Sequence, residues 1–119
     1  MTVTIYHNPR CSKSRQALQL VTASGVEPTI IEYLQEPPDA ATIRRLAGLL
    51  GVPVVELLRR GETVFKEATD LPALDDDAAL AAWISKNPQV LQRPIVISDA
   101  QDRAVIGRPP EKVLQLLSP

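Results

Sequence analysis

Apolar residues recur along this chain in two periods, and the switches between them mark its elements. Val3, Ile5 and Tyr6 form a short β-like run closed by Asn8-Pro9. Beyond Cys11 the period lengthens: Ala17, Leu18 and Val21 share one helical face, and Gly25 is placed to end it. Thr29 to Leu34 is again apolar and β-branched, so the opening predicts a βαβ unit with parallel strands and a right-handed crossover. Ligands gather beyond the carboxyl ends of strands in such sheets, which is where His7 to Cys11 fall.

Helical signals fill the middle. Gln35-Glu36-Pro37-Pro38 stops the second strand, and Asp39 caps a helix carrying Ile43, Leu46, Ala47 and Leu50 that Gly51 ends. Pro53 at the first helical position opens a short helix with Val54, Leu57 and Leu58 inward, closed by Arg59-Arg60 and Gly61. Glu62 to Leu74 is weakly patterned and reads as irregular with one helical turn. Asp75-Asp76-Asp77 reads as acidic capping of the helix bearing Leu80, Ala81, Trp83 and Ile84, not as a metal cluster, and Asn87-Pro88 ends that helix.

A short apolar strand, Gln92 to Ile97, then pairs through the turn formers Ser98 to Asp102 with Ala104-Val105-Ile106 as a hairpin. Gly107-Arg108-Pro109-Pro110 leads into a last helix with Val113, Leu114 and Leu117 inward. This order predicts an α/β protein with a mixed sheet and a thioredoxin-like fold: one domain over 1–119 with a helical insertion at about 39–90. Pro94, entering a central strand, is a candidate cis proline or a simple strand-start proline.

Composition narrows the reading. The chain has 119 residues, which suits a single domain. Its 3% aromatic content leaves the core to aliphatic side chains. A net charge of −1 with scattered cations argues against nucleic acid as a partner. No basic-then-apolar leader and no span-length apolar run stands in the chain, so a cytoplasmic protein without a membrane partner is expected. No element is apolar all round, and a monomer is expected.

The chemistry converges on one residue. A single Cys and a single His can form neither an intramolecular disulfide nor an ordinary zinc site, so no metal is expected and any redox cycle needs an outside thiol. Cys11 would sit where a helix begins, facing unpaired N–H groups and the positive end of the dipole, with Arg10, Lys13 and Arg15 close in sequence. Its pKa should fall. A drop from roughly 8.5 to about 6.5 would raise the thiolate fraction at pH 7 from about 3% to about 75%, and the thiolate is the nucleophile. Ser14 either hydrogen-bonds that thiolate or caps the helix. His7 is either a polar residue satisfied at a strand end or an influence on the thiol, its protonation opposed by neighbouring arginines.

His7 to Arg15, together with Glu36-Pro37-Pro38, Leu57-Leu58-Arg59, Arg93-Pro94-Ile95-Val96 and Gly107 to Glu111, resembles the glutaredoxin-coupled arsenate reductase family, ArsC-like, and is most similar to a shorter branch of it. The resemblance spans essentially the whole chain. It implies an enzyme whose cysteine, matched by Cys11, attacks arsenate to give a covalent adduct. Arg59, Arg93 and Arg108 match the arginines that hold the oxyanion, with Arg60 adjacent to the first. His7 matches a histidine that helps set the thiol's ionisation. It implies no bound cofactor, glutathione as co-substrate and glutaredoxin as partner. Two other readings stand beside it: a glutathione-linked thiol oxidoreductase acting on another substrate, since Cys-x-x-Ser also occurs in monothiol glutaredoxins, and a partner-binding regulator, a class that typically carries Cys-x-x-Cys where this chain has Ser14.

Overall fold

Strand β1 (Val3–His7) is the second of four in the sheet order β2-β1-β3-β4. The computed structural model describes residues 2–117. Helix α1 (Ser12–Ala23) crosses over to β2 (Thr29–Glu32), which pairs parallel with β1. Strand β3 (Ile95–Ser98) lies antiparallel on the other side of β1 and forms a hairpin with β4 (Arg103–Ile106). This is the mixed sheet that the pattern predicts.

The chain divides into two units, one of Met1–Glu36 with Arg93–Pro119, the other of Pro37–Gln92. In the first, strand alternation puts Val3 and Ile5 of β1 on one face, where they meet Ala17 and Val21 of α1, Val96 of β3, and Val113 and Leu116. These are aliphatic or small, as the scarcity of aromatics requires. Gly25 follows α1 at φ 87°, a left-handed conformation that needs no Cβ.

In the second unit, α2 (Ala40–Leu50) buries Ile43, Leu46 and Ala47 and packs against α4 (Asp77–Lys86), which buries Leu80, Ala81, Trp83 and Ile84. Asp39 caps α2 through Thr42 N–H at 2.8 Å, and Asp76 caps α4 through Ala79 N–H at 3.1 Å. Helix α3 (Thr63–Lys66) is the single turn expected in the weak segment.

Three expectations are corrected. The helix after Pro53 is a 3₁₀ turn, Val54–Leu57, that ends before Arg59. Leu58 instead bridges Leu91 antiparallel, with Arg59 N–H donating to Val90 O and Gln92 N–H to Leu57 O. The arginines therefore close no helix. The last helix begins as a 3₁₀ turn, Pro110–Val113, before α5 (Leu114–Leu117), and the tighter winding turns Leu114 outward and Leu116 inward. Helix α2 is followed by Pro53 in an extended conformation, so this proline precedes the 3₁₀ turn instead of starting it.

Candidate active site

The parity that buries Val3 and Ile5 also turns His7 toward α1. There it meets Ser14, which heads the inward stripe of Ser14, Ala17 and Val21. His7 Nδ1 lies 2.6 Å from Ser14 Oγ, and Asn8 N–H donates to the same oxygen at 3.1 Å. Burial lowers the His7 pKa; Glu32 opposes that and Arg15 adds to it. The lowered value favours the neutral imidazole, and its Nδ1 shares a hydrogen bond with the Ser14 hydroxyl. The Ser14 hydroxyl is held by His7 and Asn8, so it follows neither of its two open readings, a bond to the thiolate or a cap of the helix.

Asn8 organises the loop with all four of its polar groups. Its carbonyl accepts from Cys11 N–H at 3.0 Å and its Oδ1 from Arg10 N–H at 3.0 Å, while its Nδ2 donates to the hydroxyl of buried Tyr33 at 3.4 Å. The Arg15 guanidinium, otherwise exposed, donates to Pro9 O at 2.9 Å and ties the loop to the first turn of α1. Cys11 is the residue at which the helix starts, with extended backbone at φ −93° and ψ 121°. Among the described residues no side chain caps α1, and its first turn holds no acid.

The thiol is half-buried. Burial would raise its pKa, but the Ser14 and Lys13 main-chain N–H groups, the Arg108 guanidinium and the Arg93 side chain together outweigh burial and hold it below the ordinary thiol value. Ser14 thus serves the sulfur through its backbone. The expected depression is present, and its sources are helix N–H groups and distant arginines.

Arg108 Nη2 is 3.4 Å from Cys11 Sγ, and its Nε donates to Arg93 O at 2.8 Å. Two cations, one just before β3 and one just after β4, are held against one sulfur across more than eighty residues of sequence. Both of their following peptide bonds, Arg93-Pro94 and Arg108-Pro109, are cis. The first was one of two open readings of Pro94; the second had no sequence signal. Gly107 N–H donates to Pro94 O at 2.9 Å. A Cβ on Gly107 would lie 2.8 Å from Pro94 Cγ and 3.3 Å from Ala17 Cβ, so only glycine lets the arginine segments approach so closely. Asn8, Tyr33 and Gly107 are site-shaping residues that sequence reasoning missed. The run Gly-Arg-Pro-Pro was the signal that could have found Gly107.

Arg10 and Lys13 are exposed. Arg59 belongs to the other unit, where its Nε is 3.4 Å from Glu62 Oε1. Arg60, beside it, is exposed. Among the described residues no three His, Cys, Asp or Glu side chains are grouped to hold a metal, and no helix is long and apolar enough to cross a membrane.

A four-stranded mixed sheet with a cysteine where its first helix begins and the Arg108 guanidinium beside that sulfur defines a thioredoxin-like protein of the arsenate reductase type. The chain belongs to the ArsC family, whose model matches residues 6–116. It is 45% identical over 116 residues to the uncharacterized protein YfgD of Escherichia coli (strain K12), covering 97% of this chain and 96% of the relative. It is 41% identical over 118 residues to an arsenate reductase of Haemophilus influenzae, covering 98% of this chain and all of the relative. A solved arsenate reductase from Vibrio cholerae superposes with a TM-score of 0.86 at 39% identity, covering 98% of each chain.

Proposed function

We propose that this protein is a cytoplasmic arsenate reductase acting as a single functional domain. The observation that carries the reading is the 3.4 Å approach of a fixed guanidinium to a thiol whose pKa is depressed at a helix N-terminus. Arsenate at neutral pH is a tetrahedral dianion. Guanidinium groups and main-chain N–H groups can hold three of its oxygens while the thiolate approaches arsenic opposite the fourth, which leaves.

The Cys11 thiolate attacks arsenic, an As–O bond breaks, and with two protons the oxygen leaves as water. Arsenic remains pentavalent in the Cys11–S–As adduct. The thiolate of glutathione then attacks Cys11 Sγ. The S–As bond breaks, its electron pair stays on arsenic, and two further protons give arsenite and a Cys11–glutathione disulfide. A glutaredoxin thiol exchanges into that disulfide and returns Cys11. Arg93 and Arg108 hold the oxyanion in this scheme. Arg15 and Pro94 support the loop and the strand entry. His7, neutral and buried, positions Ser14 and is not a general base.

Intact mass after incubation with arsenate tests the reading. The wild-type chain should gain one arsenic-bearing adduct without glutathione, and glutathione should discharge it to arsenite. Cys11→Ser should abolish both. Deglutathionylation of mixed disulfides with no arsenic adduct would assign the chain to glutathione-linked thiol chemistry on another substrate.

A further inference from the structure

A second concavity adjoins the cysteine loop on the side away from the arginines. It encloses about 260 Å³ and is lined by His7, Asn8, Arg10, Glu32, Leu34 and Gln35 among others. One wall is the loop; the other is the tight turn after β2, where Gln35 and Glu36 N–H both donate to Glu32 O at 2.9 Å. The Asn8 bond to Tyr33 ties the walls together, so the pocket is preformed. Leu34 is 42% exposed there, an apolar side chain left at a polar rim.

Sheet order fixes what lies on each side of the thiol. Arg93 and Arg108 stand at the β3–β4 side, and the pocket stands at the β2 side. Displacement at sulfur runs in line: the incoming thiolate approaches opposite the bond that breaks. With arsenic held toward the arginines, the second thiol must arrive from the β2 side. The volume is slightly under the roughly 300–1,000 Å³ of sites for drug-sized ligands, so it suits one arm of a peptide rather than a whole one. A guanidinium and a carboxylate on its rim match a ligand carrying both carboxylate and ammonium.

Resting on the function proposed above, we propose that this pocket seats the resolving co-substrate, a small zwitterionic thiol peptide of the glutathione class. Arg10 faces its carboxylate, Glu32 its ammonium, and its sulfur is directed at Cys11 from the β2 side. Its sulfur forms a bond to Cys11 Sγ as the S–As bond breaks, leaving the electron pair on arsenic.

The test separates this subsite from the reaction. S-methylglutathione, which cannot react, is titrated onto the full chain with backbone amide NMR as readout and no arsenate present. Shifts should concentrate at Asn8, Arg10 and residues 32–35. Glu32→Gln and Leu34→Trp should each weaken that binding and raise the glutathione KM about tenfold, the scale of one lost contact. Adduct formation with arsenate and its discharge by 2-mercaptoethanol should stay as in wild type. Shifts centred on Ile95, Gly107 and Arg108, or an unchanged glutathione KM in either variant, would overturn the subsite. Failure of arsenate to form an adduct would overturn the arsenate reading alone.

Discussion

Helices α1 and α4 begin in opposite ways. Helix α4 opens on Asp76, whose carboxylate takes the Ala79 N–H at 3.1 Å, with Asp77 in its first turn. Helix α1 opens on Cys11, with no acid in its first turn and Arg108 at 3.4 Å from the sulfur. Both starts present the same orphan N–H groups and the same partial positive charge. In α4 a permanent carboxylate satisfies them. In α1 no side chain among the described residues caps the start, and the Ser14 hydroxyl is held by His7 and Asn8. The difference teaches that an uncapped helix start reserves its positive potential for a sulfur anion and for whatever oxyanion that sulfur attacks.

Removing the added cation should break the contrast most severely. Arg108→Ala is expected to slow adduct formation about a hundredfold, the scale of losing one preorganised donor at developing charge, read by quenched-flow mass spectrometry. Arg108→Lys should recover only part of it, because a point charge cannot keep both the Arg93 carbonyl and the sulfur. Next comes Gly107→Ala, which forces a Cβ to 2.8 Å from Pro94 Cγ and should cost about 1–3 kcal/mol in denaturant unfolding. The smallest change in stability sharpens the contrast from the other side. Cys11→Asp gives α1 the start that α4 has and should add about 1 kcal/mol of stability while abolishing activity.

How much of this could be read from the chain follows from how local each cause is. Helices α2 and α4 were legible because apolar spacing and an acidic cap agree within a dozen residues, and Cys11 at a helix start followed from its immediate neighbours. The end of the 3₁₀ turn at Leu57 was not legible, because Leu58 pairs with Leu91, a contact that local propensity cannot register. The inward Leu116 escaped because a 3₁₀ start shifts the helical phase. For the site, parity along β1 already aims His7 at α1. That its partner would be Ser14, and that the partnership frees the helix start for sulfur, depends on packing between strand and helix. The arginines came from resemblance, since nothing within either segment links Arg93 to Arg108.

The central claim is that α1 and Arg108 together hold the Cys11 thiol pKa below its ordinary value. Its folded-state pKa is depressed, so the stabilisation it brings is present above the unfolded thiol's value and is lost as pH falls through the folded value. His7 works in the same pH direction: its lowered pKa means the unfolded chain takes up that proton more readily, so stability falls as pH drops below the free imidazole range. The most direct measurement is a titration of the thiolate by ultraviolet absorbance, in the wild type and in Arg108→Ala. The account predicts a midpoint below the ordinary thiol value of roughly 8.5 that moves upward when Arg108 is removed. A midpoint at or above that value, indifferent to Arg108, would contradict it.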